Sequence, residues 1–248
     1  MEASASGKLM EKLIKGKRLA DDGIYLNEDR RSKPKEYFKF LQKIISHHME
    51  VPKSVLDIGC ATGEFLSFMK EVFPKNSYTG IDVSSSMINE AKKRESKINF
   101  FTGSILDSKT FEQEYDFVFC LGTVQIFDDL ETPLTNILKS TKKGGLAYVF
   151  TLSNHKNVDL ITRYRNSLDE DRDNWQLGWN IFSRTTYHKT LMECGASEIK
   201  TYDFEMPYPL PAQSDPMRSY HKVFKSNEKL LVNGAGLVLE QVLFEVKK

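Results

Sequence analysis

The run Val55-Leu56-Asp57-Ile58-Gly59-Cys60-Ala61-Thr62-Gly63-Glu64-Phe65 decides the fold. It reads as a buried strand that passes through a glycine turn into a helix, expected from about Gly63 to Phe73. Gly59 and Gly63 tolerate backbone conformations closed to other residues and let the main chain approach a ligand closely. The helix that follows begins with unpaired N–H groups. Asp57, at the carboxyl end of the strand, puts a negative charge at the crevice where open parallel sheets bind ligands. A nucleotide-like ligand is the expectation.

The next strand, Tyr78-Thr79-Gly80-Ile81-Asp82, ends in an acid about 20 residues beyond the turn, a spacing at which a carboxylate takes ribose hydroxyls. Two features argue against a nicotinamide or flavin cofactor. The turn opens with an acid, Asp57, and a long helical arm precedes it. Together the residues from Asp57 to Gly63 and Asp82 resemble the class I S-adenosylmethionine-dependent methyltransferases, over roughly Ser54 to Leu152 and again over the final strand. The resemblance implies an α/β, Rossmann-like, doubly wound fold. Its mostly parallel seven-stranded sheet has an antiparallel last strand inserted between the fifth and sixth, with an N-terminal helical arm and a cap insertion added. It implies S-adenosylmethionine as cofactor. Asp57 then lies near the methionine end, Gly59, Ala61 and Gly63 pass beside the ribose and amino acid, and Asp82 holds the ribose hydroxyls. Met87 packs near the adenine, and the backbone of Leu121 and Gly122 touches the cofactor. Val83, Ser104 and Ile105 complete the expected set. Ala61 replaces a glycine often found mid-motif. Ser104 stands where an acid commonly binds the adenine amino group, so a neutral acceptor takes that role.

Length and composition agree. A chain of 248 residues buries a substantial core and suits one domain with insertions. We divide it into an arm, 1–50, and a domain, 51–248, with insertions near 153–180 and 205–216. Charges balance, with 35 basic residues against 34 acidic, so no overall field draws nucleic acid. Cys60, Cys120 and Cys194 lie far apart without metal-ligand spacing, which suits a reducing cytosol and a cytoplasmic protein with no metal. No stretch approaches membrane-spanning length, and the small polar opening, Met1 to Gly7, has no apolar core. Nothing in the sequence speaks to oligomeric state.

Along the chain, Lys8 to Leu19 reads as a basic amphipathic arm and Glu36 to His48 as a helix lying on the sheet. Strands at Ser54–Ile58, Tyr78–Asp82, Ile98–Thr102, Tyr115–Leu121 and Leu146–Leu152 alternate with helices near Gly63–Phe73, Ser85–Arg94 and Asp129–Thr141. Right-handed crossovers and a covered parallel sheet follow. Ser84 is placed to cap its helix, and Lys142-Lys143-Gly144-Gly145 reads as a helix end. Ser153 to Asn180 is too long for a routine connection and is expected to be a lid. A helix over Arg184–Cys194, a strand near Ser197–Phe204, a proline-stiffened loop from Glu205 to Pro216 and a strand over Leu237–Val246 close the chain.

Methyl transfer asks mainly for alignment and exclusion of water. An oxygen acceptor needs a base as well, and His155, just after strand five, is the catalytic candidate ahead of His188 and His221. Gln125 and Phe127 are placed to face an acceptor. The turn after strand four lacks the Asn-Pro-Pro-Tyr sequence of many amino-directed nucleic-acid and protein enzymes, and Asp128 and Asp129 read as a helix start instead of a magnesium site. The expected activity is transfer of a methyl group to an O or N atom of a small-molecule acceptor, with Trp175, Trp179, Tyr208 and Tyr220 closing over it. Two alternatives stay open at this level: an RNA methyltransferase using the basic arm, and a non-catalytic protein of the same fold that binds the cofactor.

Overall fold

Strands that are apolar on both faces must be covered on both, and here alternation along each strand divides the core in two. The protein, seen in a computed structural model, is described at residues 25–26, 33–168, 170–213, 215 and 217–248. The expected arm over Lys8 to Leu19 lies outside the described residues. In chain order the elements are α1 (Glu36–Ile45), β1 (Ser54–Ile58), α2 (Glu64–Val72), β2 (Ser77–Asp82), α3 (Ser85–Arg94), β3 (Asn99–Thr102), β4 (Tyr115–Leu121), α4 (Glu131–Lys139) and β5 (Thr141–Asn154). Then follow β6 (Arg163–Tyr164), β7 (Gln176–Leu177), β8 (Phe182–Ser183), α5 (Arg184–Glu193), β9 (Glu198–Phe204), β10 (Tyr220–Val223), β11 (Lys229–Val232) and β12 (Glu240–Lys247).

The sheet runs β3-β2-β1-β4-β5-β12-β9. The pairs from β3 to β5 are parallel, and β12 lies antiparallel between β5 and β9, with Phe244 opposite Val149 on one side and Thr201 on the other. This is the expected mostly parallel, doubly wound arrangement, with two-residue β8 added beside β5 at Ser153 and Asn154. On one face Leu56, Val118, Val149 and Phe244 pack under Leu134 and Ile137 of α4 and Tyr187 and Leu191 of α5. On the other, Val55, Phe117, Phe119 and Tyr148 meet Leu41 of α1, Leu66 of α2 and Ile88 of α3. Phe119 and Tyr148 stack with centroids 5.1 Å apart.

Burial, not capping, holds α1 in place. Its first turn has no side-chain cap, but Phe38, Leu41 and Ile45 are buried. Each such burial stabilises by about 1.5–3 kcal/mol, more than the roughly 1 kcal/mol of a missing cap. The docking matters because it sets Lys35 and Tyr37 beside the carboxyl end of β1. In contrast, α3 is capped as expected, Ser84 Oγ accepting from the Met87 N–H at 3.4 Å.

The run Lys142 to Gly145 does not end a helix. It belongs to β5, and α4 stops at Lys139. The hydroxyls of Ser140 and Thr141 both donate to the Ile137 carbonyl at 2.8 Å, which satisfies a terminal acceptor without glycine. Gly144 spends its left-handed φ of 75° where the chain meets the C-terminus, its N–H donating to the Lys248 carbonyl. Lys142 instead pairs with Asp116 at 2.9 Å. Burial raises the Asp116 pKa, but bonds from Ser54 and Lys142 outweigh it and bring it down to about 2.

The segment after β5 is structured. Buried Asn180 ties it down: its N–H donates to the Gln125 carbonyl, its Nδ2 to the Phe127 carbonyl and Asp128 Oδ1, and its Oδ1 accepts from the Thr162 N–H. Arg163 adds an ion pair to Asp128. Asp129 caps α4 through the N–H groups of Glu131 and Thr132. Among the described residues no helix is long and apolar enough to cross a membrane.

Candidate active site

The chain leaves β1 toward β2 on one side, while β4 lies on its other side, so the topological switch point falls between the carboxyl ends of β1 and β4. A cleft of about 250 Å³ opens there. Gly59, Ala61, Asp82, Met87, Ser104 and Gly122 line it, and Val83, Ile105 and Leu121 extend its wall. Thus most of the residues expected from the sequence are brought together.

The glycine turn explains the cleft's shape. Gly59 sits at φ 79°, and a Cβ there would fall 2.2 Å from Thr123 Oγ1. Ala61 also takes a left-handed φ, 47°, a conformation that costs a side chain about 1–2 kcal/mol. What holds it is Asp82, whose Oδ2 accepts the Ala61 N–H and whose Oδ1 accepts the Ser84 N–H, each at 2.9 Å. The carboxylate therefore fixes the turn and keeps lone pairs for a ligand's hydroxyls. Ser104 Oγ accepts from the Leu106 N–H at 3.2 Å, which makes it part of a local turn. Gly63 does not line the cleft. It caps α2 at φ 80°, and a Cβ would strike the Phe100 ring at 2.6 Å, so its glycine serves helix–sheet packing.

Asp57 lies behind the turn, on a smaller adjoining cavity shared with Lys35, Tyr37 and Glu64. Burial, then the neighbouring charge of Asp82, raise its pKa to about 8 against the pull of Lys35. Lys35 Nζ pairs with Glu64 at 3.4 Å and sits over the Tyr25 ring at 4.7 Å. One cation and two carboxyl groups at one end of a cleft complement a zwitterionic amino acid. Tyr25 is held nearby because Arg94 donates to the Leu26 carbonyl while pairing with Glu90. Lys35 and Glu64 were not legible as site residues, and Tyr37 reads in sequence only as part of an apolar helix face.

A third cavity, about 150 Å³, joins the first two at Tyr25 and Leu121. Gln125, Thr151, Trp179 and Arg218 form its far wall. Gln125 and Trp179, expected to face an acceptor, both line this cavity. Tyr208 does not line the cleft and is half exposed. Among the described residues of the late segment, Arg218 and Ser219 reach this cavity.

His155 is not brought to the cleft. The Asn154 side chain donates to the Val158 carbonyl and accepts the Lys156 N–H, and this turn carries His155 toward β12, 3.4 Å from Glu240. There it lines a separate groove with His221 and Lys229.

Sheet order and cleft position are those of the Rossmann-like methyltransferase fold. Residues 55–145 match the family model of the methyltransferase domain. Over 113 residues it is 32% identical to a malonyl-[acyl-carrier protein] O-methyltransferase of Priestia megaterium, a match covering 45% of this chain and 41% of that protein. The chain spans about half the length of the curated relatives it matches. Among solved structures it resembles an O-methyltransferase family protein from Burkholderia thailandensis, with TM-score 0.50, 13% identity and coverage of 85% and 57%. It also resembles a protein from work on conversion of a disulfide bond into a thioacetal group during echinomycin biosynthesis, with TM-score 0.54, 16% identity and 92% of each chain covered.

Proposed function

We propose that the protein is an S-adenosylmethionine-dependent methyltransferase that modifies an O or N atom of a small-molecule acceptor. The observation that carries this reading is the junction of the two cavities at Tyr25 and Leu121. One side offers a nucleoside-shaped cleft with Asp82 for ribose and the Lys35–Asp57–Glu64 group for an amino acid. The other is a small chamber of mixed polar and apolar lining, suited to part of a second molecule. The bound cofactor supplies an activated methyl group. The protein's own contribution is to orient it and the acceptor across the Leu121–Gly122 turn and to exclude water, effects that together supply much of a rate. Gly122 keeps this turn close, its φ at 76° and its N–H donating to the Phe150 carbonyl at 2.8 Å.

Calorimetry and labelled transfer test the proposal. S-adenosylmethionine and S-adenosylhomocysteine are expected to bind and to raise thermal stability, while NAD does neither. Labelled methyl should enter a small-metabolite fraction and not RNA or protein. Absence of cofactor binding would overturn the reading. Tight binding with no transfer to any fraction would favour a non-catalytic role.

A further inference from the structure

We propose that His221 is an acid-sensitive latch: its neutral imidazole holds the proline loop, Glu205 to Pro211, on the β10–β11 hairpin, and protonation at Nδ1 releases that loop. The latch lies outside the cleft, and its existence does not depend on the function proposed above.

The first observation is how Leu210 is bound. Its carbonyl accepts the His221 N–H at 2.9 Å, and its own N–H donates to His221 Nδ1 at 2.9 Å. A backbone N–H only donates, so Nδ1 is the unprotonated ring nitrogen and Nε2 carries the proton. Protonation would set a second donor against the Leu210 N–H. An attraction then becomes a clash.

The second observation is how little else holds this loop. Pro207, Pro209 and Pro211 have no N–H, so Tyr208 and Leu210 are the backbone donors from Pro207 to Pro211. A stretch so short of donors depends on each bond it makes. Its other anchor on the hairpin is the Met206 carbonyl, which accepts from Lys229 Nζ at 2.8 Å. His221, opposite Leu231, and Lys229, opposite Val223, share one face of the hairpin, so both clamps act from the same side.

Lys229 also sets the working range. Burial, then the Lys229 charge, lower the His221 pKa from its ordinary 6.5. Asp203, Glu205, Glu240 and His155 face the same groove, of about 450 Å³. Arg184 pairs with Asp203 and Glu240, and His155 stands 3.4 Å from Glu240, so two of the three carboxylates are engaged away from the imidazole. The closed state therefore binds fewer protons than the open one, and the latch is secure above about pH 6.5 and weakens as pH falls. Release reaches the neighbouring chamber because the chain runs on from Leu210 to Arg218 and Ser219 in its wall, and because Gln241 lines both groove and chamber. It acts through the backbone and not through the Tyr208 ring.

Nitrogen NMR and amide exchange on the full chain test the latch. At about pH 7.5 the His221 ring should show a pyridine-like Nδ1 and a protonated Nε2. Leu210 protection, corrected for intrinsic exchange, is expected to fall by up to about tenfold per pH unit below about pH 6.5, while the Phe119 amide in β4 stays protected. In His221→Asn, whose Oδ1 lies as many bonds from the backbone as Nδ1 and accepts without titrating, Leu210 protection should not vary with pH. In His221→Leu it should be low throughout. A protonated Nδ1 at neutral pH, wild-type Leu210 protection that ignores pH, or a fall equally steep in His221→Asn would each overturn the proposal, and the first two need no variant. Failure to bind S-adenosylmethionine would instead sink the methyltransferase reading and leave the latch standing.

Discussion

Replacing Asp57 by Asn removes a buried ionisable group from beneath the cleft while almost preserving its shape. Asp57 is 3% exposed, and burial followed by the charge of Asp82 lifts its pKa to about 8 despite Lys35. In the unfolded chain the same carboxyl ionises near the ordinary value, about 3.9. Between those two values the native state keeps a proton that the unfolded state releases. The stability attached to this group is therefore full below about pH 4 and drains away as pH rises through the interval to about 8. One proton corresponds to about 1.4 kcal/mol per pH unit, or about 2.7 kcal/mol between about pH 5 and pH 7. His221 works in the opposite direction in part of that window, because burial and then Lys229 depress its pKa, but it is present in both proteins and cancels in their difference. Asp116 and Asp128 have lowered pKa values and change protonation only at more acid pH. Urea unfolding of wild type and Asp57→Asn at a series of pH values measures the difference. The variant should gain on wild type by about 2–3 kcal/mol from about pH 5 to pH 7. Parallel stability curves across the window would refute a protonated native Asp57.

Four further substitutions test other links. Asp82→Ala should weaken S-adenosylmethionine binding by about 1.5–3 kcal/mol and also lower the melting temperature, since the Ala61 and Ser84 N–H groups lose their acceptor; unchanged calorimetric affinity would remove the ribose contact. Ala61→Gly should relieve the left-handed strain at φ 47° and leave stability equal or higher by up to about 1 kcal/mol, in contrast to the loss usual for an alanine-to-glycine change; a loss of that size in urea unfolding would count against the strained turn. Trp179→Ala should reduce turnover with cofactor affinity intact, whereas Tyr208→Ala, half exposed and away from the cleft, should leave turnover unchanged; equal loss in both would reinstate the late loop as a lid.

Legibility in the sequence followed how local the determining contacts are. The span of α3, Ser85–Arg94, matches its sequence expectation because a serine cap and a basic last turn lie within the helix itself. The glycine-turn cleft is similarly local: Gly59 and Ala61 act through backbone geometry and Asp82 through its carboxylate, all at the ends of two adjacent strands. Lys142 to Gly145 misled because cations followed by glycine imitate a helix end, and only the side-chain bonds of Ser140 and Thr141 show that the terminus is already satisfied. His155 misled because its position after β5 is right while its direction is set by the Asn154 turn.

The chamber proposed to take the acceptor has no such local signature. Tyr25, Gln125, Trp179 and Arg218 come from four distant parts of the chain. Periodicity can mark each as polar or apolar, but it cannot bring them together. One buried side chain, Asn180, does much of that work by binding the segment after β5 to the Gln125 and Phe127 carbonyls. The two halves of the site consequently rest on different structures, one on the glycine turn and Asp82, the other on Asn180 and the late segment. They meet at Tyr25 and the Leu121–Gly122 turn. On the proposed function, changes confined to the Gln125–Arg218 wall should alter which molecule is modified without disturbing the cleft, while a change at Gly122, whose left-handed φ and bond to Phe150 position that turn, should act on both.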